Sequence, residues 1–186
     1  MTKSTAAGSA ARQRRGGIVS QEPTGNGLEI GGYYPGLIGD IVGLHATYYK
    51  EHWGFDVSFE AEEAAELGQF MLRFDPTRDG VWAARDGRGF AGGLAVDAQD
   101  AAGQGARLRW FIVRPDLQGS GLGWRLICRA LGFCRERRYA RAFLWTFQGL
   151  EAAKALYLKA GFAVAEERLS QIWGGQVLEQ RYDLTL

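Results

Sequence analysis

The sequence predicts an α/β fold with a mixed β-sheet flanked by helices. Three extended runs, at residues 81–85, 90–96 and 108–113, are separated by glycine-rich turns, which is typical of an antiparallel meander. After the meander, helical and extended patterns alternate, and two extended runs close the chain. This order favours one sheet with both parallel and antiparallel neighbours.

Two helices are predicted before the meander. An extended run at residues 28–34 is followed by apolar side chains at three- and four-residue steps over residues 38–53, with a break around Gly43. Ser58 has the side chain and the position of an N-cap. A second helix is therefore expected over residues 58–74.

The elements after the meander alternate in type. Residues 121–138 carry an apolar face at helical spacing, and residues 142–147 have the pattern of a buried strand. A helix is expected over residues 150–160, where a glycine ends it. Two strands, at residues 162–171 and 177–184, complete the sheet.

The composition indicates one folded domain. The chain has 186 residues, of which 46% are hydrophobic, and its 22 basic and 21 acidic residues leave a net charge of +1. This balance argues against nucleic acid as a partner. No apolar run approaches the ~18 residues of a membrane span and no secretory signal is evident, so we expect a cytoplasmic protein with no membrane partner. Cys128 and Cys134 are expected to be reduced thiols on one helix.

The N-terminal segment differs from the rest of the chain. Residues 1–27 are rich in small residues and lack periodicity, so they are expected to form a flexible arm ahead of a domain at residues 28–186. The basic cluster Arg12, Arg14 and Arg15 is interpreted as solvated, because so few charges rarely suffice to hold a nucleic acid.

The segment after the third meander strand is the most informative about function. Three glycines, Gly119, Gly121 and Gly123, alternate immediately before a helix. Glycines let the backbone approach a phosphate closely, and the free N–H groups of a first helical turn attract anions. The sequence therefore predicts an anion-binding loop between a strand and a helix.

The spacing in this loop excludes two common phosphate motifs. A dinucleotide fingerprint starting at Gly119 would require glycine where Trp124 stands, and a Walker loop requires a lysine that this segment lacks. The pattern formed by Gln118, Gly121 and Gly123 resembles instead the pyrophosphate-binding motif of the GNAT acetyltransferase superfamily, which binds coenzyme A.

Further stretches resemble the same superfamily. In residues 155–162 a helical tyrosine precedes a Gly-Phe pair, and residues 144–146 resemble the strand beside the cofactor arm. Residues 173–176 and 182–184 resemble most closely the acetyltransferase domain found fused behind MarR-type winged-helix regulators. The resemblance covers the whole predicted domain and implies a GNAT fold, acetyl-CoA as cofactor and N-acetyl transfer.

The resemblance also implies roles for individual residues. Tyr157 matches the usual general acid, and no metal is required. His45, Tyr49 and His52 of the first helix are expected at the acceptor-substrate site. The expected cofactor-binding residues are Phe111, Ile112 and Val113 at the strand end, Gln118, Gly119, Ser120, Gly121, Leu122 and Gly123 in the loop, and Arg125 one turn into the helix.

The general base is left open by the sequence. Arg109 and Trp110 stand on the central strand, where the family often has an acidic residue, so the strand supplies no base. His45, Glu51 and His52 are candidates because the first helices normally wall the acceptor site. Deprotonation of the amine through water is the alternative.

The function expected from the sequence is acetyl-CoA-dependent transfer of an acetyl group to a primary amine of a small molecule or peptide. A non-catalytic acyl-CoA-binding regulatory module is the alternative, favoured by weak acidic provision near the acceptor. A toxin that acetylates aminoacyl-tRNA is a third interpretation, against which the balanced charge argues. The acceptor and the choice between monomer and homodimer stay open.

Overall fold

The computed structural model describes residues 27–186, which form one seven-stranded mixed sheet with helices on both faces. Apart from Gly27, the predicted arm at residues 1–27 lies outside the described residues. The elements, in chain order, are β1 (Glu29–Gly31), α1 (Leu37–Trp53), α2 (Val57–Arg73), β2 (Gly80–Asp86), β3 (Gly89–Asp97), β4 (Ala106–Val113), a 3₁₀ turn (Pro115–Leu117), α3 (Leu122–Glu136), β5 (Arg141–Phe147), α4 (Glu151–Lys159), β6 (Ala163–Ile172) and β7 (Gly175–Thr185).

The sheet confirms the predicted α/β class with mixed strand directions. Its strand order is β1-β2-β3-β4-β5-β7-β6. Strands β1 to β4 form an antiparallel meander, β4 and β5 are parallel, and β5, β7 and β6 are antiparallel. The parallel pair is the junction between the two halves, and helix α3 makes the crossover that it requires.

Two apolar clusters lie on opposite faces of the sheet. On one face the predicted apolar side of α3, including Leu126 and Ile127, packs on β3 and β4 through residues such as Leu108. On the other face, Leu67 and Phe70 of α2 and residues of α1 pack on the same strands. The sheet is therefore covered on both sides, and β4 lies at its centre.

The start of α2 corrects the predicted cap. Asp56 rather than Ser58 is the N-cap, since its carboxylate accepts a hydrogen bond from the Ser58 backbone N–H at 2.9 Å, and the helix begins at Val57. Helix α1 also runs through Gly43 without the expected break, because Ile41 and its neighbours remain buried against the sheet. Strand β1 is shorter than predicted.

Gly132 of α3 offers a stability prediction. A Cβ at this position would meet nothing within 4 Å, so Gly132→Ala is expected to stabilise the fold by about 0.5–1 kcal/mol through helix propensity alone. Urea unfolding would measure this change. Unchanged or reduced stability would mean that α3 is not limited by backbone entropy at this point.

Candidate active site

The two strands at the centre of the sheet separate and open a cleft. Strands β4 and β5 pair only at Ala106–Ala142 and Arg107–Phe143, and then diverge. Beyond this point β4 hydrogen-bonds only to β3, and β5 only to β7. A cavity of about 970 Å³ fills the gap, which is the size of a pocket for a large small-molecule ligand.

A β-bulge re-aims the side chains of β4 along this cleft. Gly93 pairs with Ile112 and Ala95 with Arg109, so two residues of β4 face one residue of β3. Trp110, at the bulge, has a φ of 50°, a strained value for an aromatic residue. As a result Trp110 packs with the α1 and α2 face, while Phe111 turns to the α3 face beside Gly123 and Tyr157.

The predicted anion loop follows β4 directly and is anchored by Arg114. The Arg114 guanidinium donates to the Phe90 carbonyl at 3.0 Å and to Asp116 Oδ1 at 2.7 Å, and it also pairs with Asp86. The hydrogen bond from Arg114, together with one from the Arg88 backbone N–H, holds the pKa of the Asp86 carboxyl down to about 2. Gln118 adds a side-chain bond to the Val113 carbonyl at 3.3 Å. The loop is thereby fixed to the end of β4.

The loop has the geometry of an anion cradle. Gly119 and Gly121 adopt φ values of 79° and 87°, and a Cβ at either would project into open space. Within the described chain, the backbone N–H groups of Gly119, Gly121, Gly123 and Trp124 find no backbone acceptor. These same four residues line the cavity. The free donors therefore face the cleft at the positive end of the α3 dipole, as a bound pyrophosphate requires.

Tyr157 lines the cleft beside Phe111. Its ring is buried in the main apolar cluster, 6.0 Å from the ring of Phe111, and its hydroxyl makes no hydrogen bond to any residue in the range 27–186. Burial raises the pKa of Tyr157 above its ordinary value. The phenol consequently stays protonated at any ordinary assay pH and is free to donate a proton or hydrogen bond.

The far end of the cleft carries acidic residues that the sequence reasoning missed. Glu62, Glu63 and Glu66 of α2 all line the cavity. These side chains give the cavity the carboxylates that the central strand does not supply. A signal was available, because Glu63 stands four residues after Phe59 and four before Leu67, within the apolar stripe of α2.

Glu63 has the environment of a general base. Its Oε2 is buried and has no hydrogen-bond partner among the described residues. Burial, together with the charges of Glu66 and Glu62, raises the pKa of Glu63 to about 7 against the opposing effect of Arg109 and Arg107. Arg109 is already engaged by Glu66 and lies 3.6 Å from Asp97. A carboxylate poised near neutral pH in a cleft is typical of acid–base catalysis.

Aromatic side chains form the walls between Tyr157 and these carboxylates. They belong to a third cluster that joins α1, α2, β5 and β7. Trp173 donates from Nε1 to Glu62 Oε2 at 2.8 Å, which occupies that carboxylate. The members of this cluster that line the cavity are Tyr49, Phe59, Phe147 and Trp173, and Tyr48 lines the cavity as well.

Only some of the acceptor-site residues predicted on helix α1 line the cavity. His45 and Tyr49 line the cavity, whereas His52 and Glu51 do not. His45 is buried, its Nδ1 bonds to the Ile41 carbonyl at 2.9 Å, and burial lowers its pKa to about 4, so the ring is neutral and a weak base. The exposed His52 ring lies 4.3 Å from the ring of Tyr48.

The structure brings most of the predicted cofactor residues together. Phe111, Ile112, Val113, Gln118, Gly119, Gly121 and Gly123 line the cavity with Tyr157. Ser120, Leu122 and Arg125 do not line it. The Ser120 hydroxyl bonds to the Leu117 carbonyl at 2.6 Å and Leu122 is buried, so both support the loop from behind.

Neither a metal-binding cluster nor a membrane-spanning helix is present in the described part of the chain. No group of three or more His, Cys, Asp or Glu side chains within residues 27–186 is arranged to hold a metal ion. Likewise, none of the helices in this part of the chain is both long and apolar enough to cross a membrane.

Solved structures share this architecture. An acetyltransferase from Streptococcus agalactiae is 22% identical, with a TM-score of 0.69, covering 86% of this chain and 99% of that one. A Salmonella typhimurium protein solved with its cofactor acetyl-CoA is 17% identical, with a TM-score of 0.65 and coverage of 87% and 95%. Spermidine N-acetyltransferase from Vibrio cholerae, in complex with CoA and spermine, is 18% identical, with a TM-score of 0.62 and coverage of 86% and 95%.

These three structures are at most 22% identical to the chain and show only its fold, whereas its sequence shows its family. No curated protein matches the chain significantly. The sequence model of the Acetyltransferase (GNAT) family matches residues 42–162, which include the bulged strand, the glycine cradle and Tyr157. Since this match extends over more than half of the sequence, the chain belongs to the GNAT family of acetyltransferases.

Proposed function

We propose that the protein transfers the acetyl group of acetyl-CoA to a primary amine that enters from the α1 and α2 side of the cleft. The observation that carries this proposal is that the glycine cradle, Tyr157 and Glu63 line one continuous cavity. An anion site, a proton donor and a proton acceptor then share one cleft, as acyl transfer from a thioester to an amine requires.

The residues present fit acetyl-CoA. The free N–H groups of Gly119, Gly121, Gly123 and Trp124 suit the pyrophosphate. The unpaired edge of β4 over residues 108–113 suits the amide-bearing pantetheine arm, because it offers backbone donors and acceptors along the cleft. When bound, acetyl-CoA supplies an activated acyl group as a thioester.

The chain's own residues supply the proton transfers. Glu63 takes a proton from the amine, whose nitrogen forms the new bond to the acyl carbon. The carbon–sulfur bond breaks, the sulfur leaves with its electron pair, and the Tyr157 hydroxyl provides the proton that it takes up. Backbone N–H groups near the end of β4 are placed to stabilise negative charge on the acyl oxygen. His52, Glu51, Ser120, Leu122 and Arg125 have no direct part in this proposal.

Tyr157→Phe tests the proton donor. The substitution removes one hydroxyl from a buried ring, so we expect kcat to fall about 100-fold while the KM for acetyl-CoA changes less than about threefold. Tyr182→Phe is the matched control, because the Tyr182 ring is also buried, its centroid lies 5.7 Å from that of Tyr157, and it does not line the cavity. Unchanged kcat in Tyr157→Phe would remove this residue from the mechanism.

The activity itself is tested with a panel of primary amines. We expect amine-dependent release of the CoA thiol, and a product heavier by one acetyl group in mass spectrometry. A non-catalytic acyl-CoA-binding module would bind acetyl-CoA without releasing thiol above the uncatalysed rate. That alternative was favoured by a lack of acidic residues near the acceptor, and the α2 carboxylates that line the cavity speak against it. The closer relationship of this chain to the acetyltransferase domain fused to MarR-type regulators stays a prediction from the sequence motifs.

A further inference from the structure

At the acceptor end of the cleft, two charged side chains each have a buried polar atom without a hydrogen-bond partner among the described residues. Arg107 Nε and Glu63 Oε2 are buried, and neither makes a hydrogen bond within residues 27–186. Both residues line the same cavity. Arg107 stands at the start of β4, six residues from Val113 and hence about 20 Å from the end that leads into the cradle. The unpaired arginine therefore lies far from the predicted pyrophosphate site.

The surrounding charges do not satisfy Arg107. Glu66 is engaged by Arg109, and Glu179 is held by the Arg168 guanidinium at 2.8 and 3.0 Å. No carboxylate in the described chain lies within ion-pair distance of Arg107, although Glu63 lines the same pocket. Burial and the neighbouring Arg109 lower the pKa of Arg107. A guanidinium with a buried, unbonded N–H is costly in the free protein and indicates a missing acceptor.

The pocket therefore presents one unpaired cation and one unpaired anion to the same ligand. Trp110 Nε1 is a third buried polar atom without a hydrogen-bond partner among the described residues, and Trp110 also lines the cavity, so it offers a second donor. Aromatic walls that include Tyr49, Phe59 and Trp173 lie around this space. A ligand that satisfies these groups has a positive or amine end, an anionic end and an apolar body.

We propose that the acceptor is an amine that also carries a carboxylate, as an apolar amino acid does, with Arg107 binding the carboxylate and Glu63 facing the amine. A planar guanidinium matches a carboxylate in shape and can donate two parallel hydrogen bonds to it. This inference rests on the proposed function, because it names the substrate class of the same site.

Matched acceptors test the proposal. Leucine and phenylalanine are compared with their amides and with isoamylamine and phenethylamine, which keep the amine and the apolar body but lack the carboxylate. We expect kcat/KM to be about 10- to 100-fold higher for the amino acids, the range expected for a buried charge-assisted pair. The readout is acceptor-dependent thiol release at fixed acetyl-CoA.

Variants separate recognition from folding. Arg107→Gln is expected to reduce the ratio of kcat/KM for the amino acids to kcat/KM for their amides to less than about threefold, while the thermal shift with acetyl-CoA is unchanged. Arg181→Gln is the matched control, because Arg181 lies nearby over Phe143, pairs with Asp183 and does not line the cavity. This control should retain the full preference.

Two outcomes would overturn the inference in distinguishable ways. Equal turnover of amino acids and their amides by the wild-type protein, or an undiminished preference in Arg107→Gln, would refute the carboxylate site and leave acetyl transfer standing. Failure of every amine to release thiol, despite stabilisation by acetyl-CoA, would refute the carboxylate site and the proposed function together.

Discussion

Gly121→Val is expected to weaken acetyl-CoA binding at least about 100-fold. The native φ of 87° at this position costs a β-branched residue about 1–2 kcal/mol. Relief of this strain moves N–H groups of the cradle away from the pyrophosphate, and each lost charge-assisted bond costs about 1.5–3 kcal/mol. Isothermal titration calorimetry with acetyl-CoA would measure the change.

The control for Gly121→Val is a glycine substitution within helix α3, which directly follows the loop. Gly132→Ala adds a side chain in open space without a positive φ, so it should leave the affinity for acetyl-CoA within about twofold. Because Gly121 is exposed, Gly121→Val should still fold, with unchanged far-UV circular dichroism. Wild-type affinity in Gly121→Val would mean that the loop does not hold the pyrophosphate.

Glu63→Gln is expected to lower kcat about 100- to 1,000-fold at pH 8. Only the carboxylate form of Glu63 accepts a proton, and its pKa is raised to about 7. Wild-type kcat/KM should therefore fall as the pH drops below about 7. The variant should lack this acidic limb of the profile of kcat/KM against pH. Measuring kcat/KM between pH 5 and pH 9, on the order of two units either side of that pKa, would show it.

A neighbouring glutamate provides the control. Glu62→Gln removes a charge that raises the pKa of Glu63, so the limb should remain and move to lower pH, with kcat within about threefold of wild type. Retention of both kcat and the limb in Glu63→Gln would exclude Glu63 as the base. Deprotonation of the amine through water would then be favoured.

The same pKa gives an independent stability readout. The pKa of Glu63 rises from 4.5 to about 7 on folding, so the folded state holds more protons than the unfolded state between these values. Stability contributed by the protonated group is consequently lost as the pH rises through this window. Glu63→Gln, which cannot ionise, should therefore melt at a higher temperature than wild type at pH 8, and equal melting temperatures would contradict the raised pKa.

The local parts of this site could be predicted from the sequence. The order of helices and strands follows from hydrophobic periodicity, and the cradle follows from three alternating glycines at the start of a helix. The resemblance to the family motif identifies Tyr157 as a candidate, and Tyr157 lines the same cavity as the cradle and Glu63. Each of these features depends on residues close together in the chain.

The acceptor end could not be derived in the same way, because it depends on how distant elements dock. The bulge at Trp110 and the divergence of β4 from β5 are tertiary features with no local signature. Glu63 and Arg107 come to line one cavity, each with a buried atom that lacks a hydrogen bond, only when α2 packs over the diverging strands β4 and β5. The clue in the sequence was an acidic residue inside an apolar helical stripe, which is readily interpreted as a solvated position.

The central claim is that the cleft beside the glycine cradle is an acetyl-CoA site, and thermal unfolding of the wild-type protein tests it most directly. At ~100 times its dissociation constant a ligand adds about 2.7 kcal/mol, or roughly 5 to 11 °C for a domain of this size. We predict such a rise with acetyl-CoA, none with NAD, and a rise of less than about 2 °C with the same concentration of acetyl-CoA in Gly121→Val. No rise in the wild-type protein would contradict the cofactor site, and the proposed acetyl transfer with it.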